Sequence, residues 1–306
     1  MKQGFMRALC KQAQNDNSIY LLTADQGYGL LNRFQNAFPD RFINVGIAEQ
    51  NMIGIAAGLA DAGKKVVVFS SGNFPTMRCL EHIRNLISYR NANVKIVAIG
   101  AGLEYGLLGF TQFALEDIGI MRPLPNMTIV APGDPIEAEL ATKCIIQRNG
   151  PCYMRLSEED VIKEINFLTF ELGNALWIKK VGNGTLITTG GMLRTTLTVQ
   201  KLLKVAGIDV AVLHIHTIKP IDEKAIVEAA KSGYIFSIEE HSKIGGLGSA
   251  IAEVLLREKA RVEHFEMFGV SYTLAKNGSR TFLLGEFGLT PEKLAEKIRQ
   301  AITQKS

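Results

Sequence analysis

The chain has 306 residues, is 47% hydrophobic, and carries 34 basic against 30 acidic side chains, for a formal charge of +4. That length suffices for two cores, because single cores stop growing near ~250–300 residues. The near-balanced charge argues against a general nucleic-acid or membrane field, and no run of ~18 apolar residues predicts a membrane span.

The basic pairs Lys64-Lys65 and Lys179-Lys180 stand alone and read as solvated surface. Cys10, Cys79, Cys144 and Cys152 are scattered without a C-x-x-C pair, which suggests free thiols in a reducing compartment. The N-terminal MKQGFMRALCKQAQNDN lacks the apolar stretch of a secretion signal, so the expected location is the cytoplasm.

In chain order, Ile19–Thr23, Phe42–Val45, Val66–Phe69, Lys95–Ile99 and Thr128–Val130 read as strands. They are short, β-branched and nearly continuously apolar, as parallel strands buried on both faces should be. Ile47–Asp61, Thr76–Tyr89 and Pro135–Arg148 read as helices between them. Asp134, Pro135 and Glu137 form an N-cap, a first-turn proline and a capping-box pattern. The alternation predicts a doubly wound α/β sheet.

The rhythm breaks over residues 160–183, which are polar and end in the Gly182-Asn183-Gly184 turn signal. A second α/β run follows. Its expected strands are Thr185–Thr189, Ile208–His214, Tyr234–Glu239 and Val262–Phe268. Its expected helices are Leu193–Ala206, Asp222–Lys231, Gly248–Arg257 and Pro291–Gln300. The predicted organisation is a domain over 1–160, a linker over 161–183 and a smaller domain over 184–306. Such folds host many functions, so the function must come from particular residues.

Glu49 opens an otherwise apolar helix after Gly46, where the helix dipole favours a carboxylate. It reads either as an ordinary first-turn acid or as a buried acid that shares a proton with a ligand nitrogen. Gly245-Gly246-Leu247-Gly248 follows a strand and opens a helix, but it lacks the full dinucleotide-loop spacing and reads as close packing. His214 and His216 share a strand face without a third metal ligand at a convincing spacing. His241, at a strand end, fits a capping role better than catalysis. No G-x-S-x-G and no P-loop is present.

The segment Phe38-Pro39-Asp40-Arg41-Phe42-Ile43-Asn44-Val45-Gly46-Ile47-Ala48-Glu49-Gln50-Asn51 resembles a signature of the transketolase and 1-deoxyxylulose-5-phosphate synthase superfamily. The resemblance continues through residues 73–81, 115–122 and 125–137. It extends to Ile218-Lys219-Pro220-Ile221-Asp222 and residues 239–250, and so spans nearly the whole chain. It implies a thiamine-diphosphate pyrimidine-binding-type domain followed by a transketolase C-terminal-type α/β domain.

By this resemblance Glu49 hydrogen-bonds the ring nitrogen opposite the cofactor's amino group, and that amino group, as its imino tautomer, removes the thiazolium proton. Phe74 resembles the aromatic residue that stacks on the pyrimidine, with a plain core phenylalanine as the alternative. Ile47 and Arg78 fall in the same cofactor-binding motifs. No GDG motif of the diphosphate-binding domain occurs. The implied protein is therefore the C-terminal subunit of a split transketolase, moving a two-carbon ketol unit between sugars or sugar phosphates.

The implied partner is an N-terminal subunit in an α2β2 assembly, with a homodimer when the chain is alone. That partner is expected to hold most of the diphosphate and its Mg2+ or Ca2+. The alternatives are a 2-oxo-acid dehydrogenase beta-like component and a non-catalytic scaffold subunit. Two departures bear on substrate. Gln112 and Phe113 stand where relatives carry paired histidines, and glutamine cannot titrate near neutrality. After Arg155, Ser157-Glu158 replaces the usual glycine and basic residue, and an added acid weakens an anionic phosphate site. Gln112, Phe113 and Arg155 are the substrate-side candidates.

Overall fold

The computed structural model describes residues 1–165, 167, 169–271 and 276–303. It contains two sheets. The first half supplies β1 (Ile19–Thr23), β2 (Phe42–Asn44), β3 (Lys65–Ser71), β4 (Val94–Ile99), β5 (Thr128–Val130) and β6 (Cys152–Leu156). The second half supplies β7 (Leu176–Lys179), β8 (Thr185–Thr188), β9 (Ala211–His214), β10 (Thr217–Lys219), β11 (Tyr234–Ser242) and β12 (His264–Val270). The helices of the first half are α1 (Lys2–Asn15), α2 (Asn32–Ala37), α3 (Glu49–Asp61), α4 (Leu80–His82), α5 (Asp117–Met121) and α6 (Pro135–Gln147). Those of the second half are α7 (Met192–Val205), α8 (Glu223–Ala230), α9 (Leu247–Arg257), α10 (Arg280–Glu286) and α11 (Pro291–Thr303).

The first sheet runs β10-β5-β6-β4-β3-β1-β2, all parallel except β10. The second runs β12-β11-β8-β9-β7, parallel except for the edge strand β7. Alternation along β3 explains its unbroken apolar run. Val66 and Val68 pack with Met52 and Ile53 of α3, while Val67 and Phe69 pack with Phe5 and Leu9 of α1. Gly4 lets α1 press on α6, since a Cβ there would lie 2.1 Å from the Pro135 carbonyl oxygen. Among the described residues no helix is long and apolar enough to cross a membrane.

Three local readings need correction. The helix expected over Thr76–Tyr89 starts only at Leu80 and then widens into π geometry over Ile83–Ser88. The stretch from Gly72 to Cys79 forms turns, with Thr76 Oγ1 donating back to the Gly72 carbonyl at 2.8 Å. Asp134 caps α6 as expected, accepting from the backbone N–H of Ile136 and Glu137 at 2.8 Å each. Glu137 does not close the capping box, because its carboxylate accepts from Gly133 N–H and pairs with His214 Nε2 at 2.8 Å. Within the expected linker, residues 176–179 form β7 and pair with β9.

The two halves are tied by more than chain continuity. β10 leaves the second half to pair antiparallel with β5. Leu103, Phe113 and Leu115 of the first half enter the apolar cluster around Leu186, Phe236 and Ile238. Buried Arg155 donates from Nε to Asp117 at 2.8 Å and from Nη2 to the carbonyls of Ala114 and Glu240, also at 2.8 Å. Tyr153 donates to the same Asp117 oxygen at 2.5 Å.

Removing one member of a fully buried ion pair leaves its partner charged and unsatisfied, which costs about 3–5 kcal/mol. Arg155→Met should therefore lower folding stability by that order. Urea unfolding checks this, and an unchanged midpoint would show that the buried Arg155 contacts do not contribute to stability.

Candidate functional site

The site forms where β2 passes into α3. Asn44 ends β2, and its side-chain oxygen accepts from the backbone N–H of Gly46 and Asp25, each at 3.0 Å. Gly46 adopts φ +74°, a left-handed conformation that suits glycine, and no atom lies within 4 Å of where its Cβ would be. Ile47 follows on the surface, 78% exposed. The chain then enters α3 with Glu49 as its first residue, only 2% exposed.

The helix start turns Glu49 inward, beside free backbone N–H groups that favour negative charge. Its countercharge comes from the turn before α4. Arg78 Nη1 donates to Glu49 Oε2 at 2.8 Å, and the guanidinium lies over the Phe74 ring, 4.9 Å from its centroid. Phe74 is half-buried. Gln50 donates to the Arg78 carbonyl at 3.1 Å, so the first turn of α3 and this turn are sewn together twice. Burial, followed by the Glu49 charge, pushes the Cys79 thiol up to about 12.

Thus Glu49, Arg78 and Phe74 come together, with Ile47 on the adjoining loop. The other sequence candidates lie elsewhere. Gln112 is half-buried in a 3-10 turn over Phe110–Gln112. Phe113 is packed in the apolar cluster shared with the second half. Arg155 is buried between the halves, with the three protein hydrogen bonds described above. The turn carrying Phe74 and the segment carrying Gln112 are linked, because Asn73 donates to the Thr111 carbonyl.

The remaining motifs have local explanations. Glu239 accepts from the N–H groups of Leu247 and Gly248 at 2.7 and 2.8 Å, so its own carboxylate fills the N-terminus of α9. A Cβ on Gly246 would lie 2.0 Å from Glu239 Oε2. His241 is buried, with Nδ1 bonded to the Ser242 carbonyl at 2.7 Å and Nε2 accepting from Gly119 N–H at 3.3 Å. This pattern fits one neutral tautomer, a loop-capping imidazole. Among the described residues no group of three or more His, Cys, Asp or Glu side chains could hold a metal ion.

Sequence reasoning missed a second, partly buried charge cluster. Arg280 bonds Glu240 through Nε at 3.0 Å and Nη2 at 2.6 Å, and Glu159 through Nη1 at 2.8 Å. Its members lie 40 to 121 residues apart, so no local spacing could have signalled it.

Comparison with known proteins bears on the fold and the family. Residues 1–176 match the family "Transketolase, pyrimidine binding domain", and residues 173–294 match "Transketolase, C-terminal domain". A "Putative transketolase C-terminal section" of Methanocaldococcus jannaschii is 36% identical over 98% of this chain and 95% of that protein. A 6-deoxy-6-sulfo-D-fructose transketolase subunit of a Clostridium species is 34% identical over 100% and 95%. A structure described as "Split gene transketolase, inactive beta4 tetramer" superposes with a TM-score of 0.89 at 35% identity, covering 99% of this chain and 98% of that one. The chain spans about half the length of a 1-deoxy-D-xylulose-5-phosphate synthase from Pelotomaculum thermopropionicum, at 30% identity.

The fold is a transketolase pyrimidine-binding domain followed by a transketolase C-terminal domain. The chain belongs to the transketolase family and is consistent with a split-gene transketolase subunit.

The thiol beside Glu49 provides a check on how closely the site is packed. At pH 8 a thiol whose pKa is about 12 holds almost no thiolate, the reactive form. Cys79 should therefore alkylate at least ~100-fold more slowly than a free cysteine in the folded chain. Mass mapping after timed iodoacetamide treatment would show it, and rapid labelling of Cys79 would mean that the turn is open.

Proposed function

We propose that this chain is the C-terminal subunit of a thiamine-diphosphate-dependent transketolase-like enzyme. In this reading it transfers a two-carbon ketol unit between sugars or sugar phosphates, and is active only with a diphosphate-binding partner subunit. The observation that carries the proposal is the buried Glu49 carboxylate at the first turn of α3, beside the half-buried Phe74 ring. A buried acid beside an aromatic face and an open glycine turn suits a protonated heteroaromatic ring, so the residues present fit the pyrimidine end of the cofactor.

Thiamine diphosphate, when bound, supplies the carbon nucleophile that attacks the ketose carbonyl. This chain supplies the rest of the pyrimidine site. Glu49 accepts the ring N–H and holds that proton, Phe74 offers a ring face, and the Gly46 turn leaves room for the ligand. Diphosphate and metal are assigned to the partner, because the ligands for both are expected in its GDG-type domain. Gln112 is the candidate for a non-titrating hydrogen bond to substrate oxygens.

An open face of α3 supports a two-chain site. Gly54 and Gly58 lie within the helix, where glycine costs roughly 0.5–1 kcal/mol relative to alanine. Among the described residues, and the helix's own backbone aside, no atom approaches within 4 Å of where either Cβ would be. The face lies on the side of α3 opposite its buried residues Glu49, Met52, Ile53, Ala56 and Ala57, which suits a partner that covers the helix from outside. For the two-chain enzyme the assembly we propose is α2β2. For the chain alone we propose a homodimer, and the similar split transketolase described as a beta4 tetramer supports self-association.

Glu49→Gln is the direct test. The swap is nearly isosteric, so folding and assembly should survive, as native mass measurement of the two-chain complex would show. Glutamine cannot share the ring proton. Exchange of the thiazolium C2 proton should then slow by roughly two orders of magnitude or more, the scale of losing a preorganised electrostatic partner. Unchanged exchange in a fully assembled variant would reduce Glu49 to an ordinary helix-turn acid.

A further inference from the structure

Glu49 has two carboxylate oxygens, and the structure treats them differently. Oε2 takes the Arg78 hydrogen bond at 2.8 Å, whereas Oε1 has no hydrogen bond among the described residues. Arg78 is itself held in place. Its guanidinium rests on Phe74 and its carbonyl accepts from Gln50, the residue after Glu49. Its side chain is 48% exposed against 3% for Glu49, so the arginine reaches in from the surface to neutralise a buried acid. The contact also covers one face of Phe74.

We propose that Arg78 is a positioning residue, which grips Glu49 through Oε2 and so presents Oε1 as the acceptor for the ring N–H of the bound pyrimidine. This rests on the reading of Glu49 given above. It changes the expected role of Arg78 from touching the cofactor to acting through the carboxylate. An arginine stays charged under all ordinary conditions, so its partner remains an acceptor. A guanidinium also has a fixed planar fork, so it sets direction as well as charge. Without Arg78 the carboxylate keeps its burial but loses both its countercharge and its fixed orientation.

The test has two arms. The first uses the isolated full chain and urea unfolding of wild type, Arg78→Met, Glu49→Gln and the double variant. Arg78→Met should lower the midpoint. In the Glu49→Gln background the same change should lose at least half its effect, because a neutral amide needs no countercharge. Strict additivity would overturn the pairing.

The second arm uses the two-chain complex, with calorimetric affinity for thiamine diphosphate and C2-proton exchange as readouts. In Arg78→Met, affinity should fall about tenfold, the low end for truncating one member of a hydrogen-bonded charge pair that is partly exposed. Exchange should slow while assembly stays intact. Arg78→Lys keeps the charge but not the fork, and should recover affinity better than the exchange rate. Coupled unfolding with affinity and exchange both unchanged would overturn the positioning role. If Glu49→Gln itself leaves exchange unaltered, the functional reading fails and this role with it, while the first arm still decides whether the pair exists.

Discussion

The buried Arg155 guanidinium is the fixed point around which the two halves are arranged. It sits on β6 in the middle of the first sheet, bonded to Asp117 of α5, to the Ala114 carbonyl, and across the boundary to the Glu240 carbonyl on β11. A charge this deep is tolerated only when its hydrogen bonds are made, so its partners must hold their positions. Asp117 is steadied in turn by Tyr153, and Glu240 by Arg280. Phe113 and Leu115 continue the same boundary in apolar form. The halves therefore form one frame rather than two bodies on a tether.

That frame leaves the Glu49 region at the surface end of the sheet, partly built. The acid, the aromatic ring and the open glycine turn are in place, and the exposed Ile47 and the open flank of α3 face outward. Arg78 supplies the countercharge that lets the acid stay buried there.

Most of the framework was legible because it depends on local pattern. Buried parallel strands such as β1 and β5 announce themselves as short β-branched runs, and Asp134-Pro135 marks the start of α6. The helix that opens at Glu49 was legible as well, through the glycine and apolar run around it. What escaped depends on distant partners. β10 has three residues and takes its meaning from β5, nearly ninety residues earlier. The Arg155 contacts are equally non-local, and from the family resemblance alone this strand arginine stands as a substrate-side candidate. The turn at residues 72–79 was hidden because the helical pattern expected from Thr76 starts inside it. The Arg78–Glu49 bond that this turn permits joins residues 29 apart.

The central claim is that this chain carries only the pyrimidine half of a cofactor site. Calorimetric titration of thiamine diphosphate with magnesium addresses it most directly, first into the isolated chain and then into the chain assembled with a GDG-bearing partner subunit. The account predicts weak or undetectable binding to the chain alone and saturable binding, at one cofactor per pair of chains, in the complex. Tight stoichiometric binding to the isolated chain would contradict it.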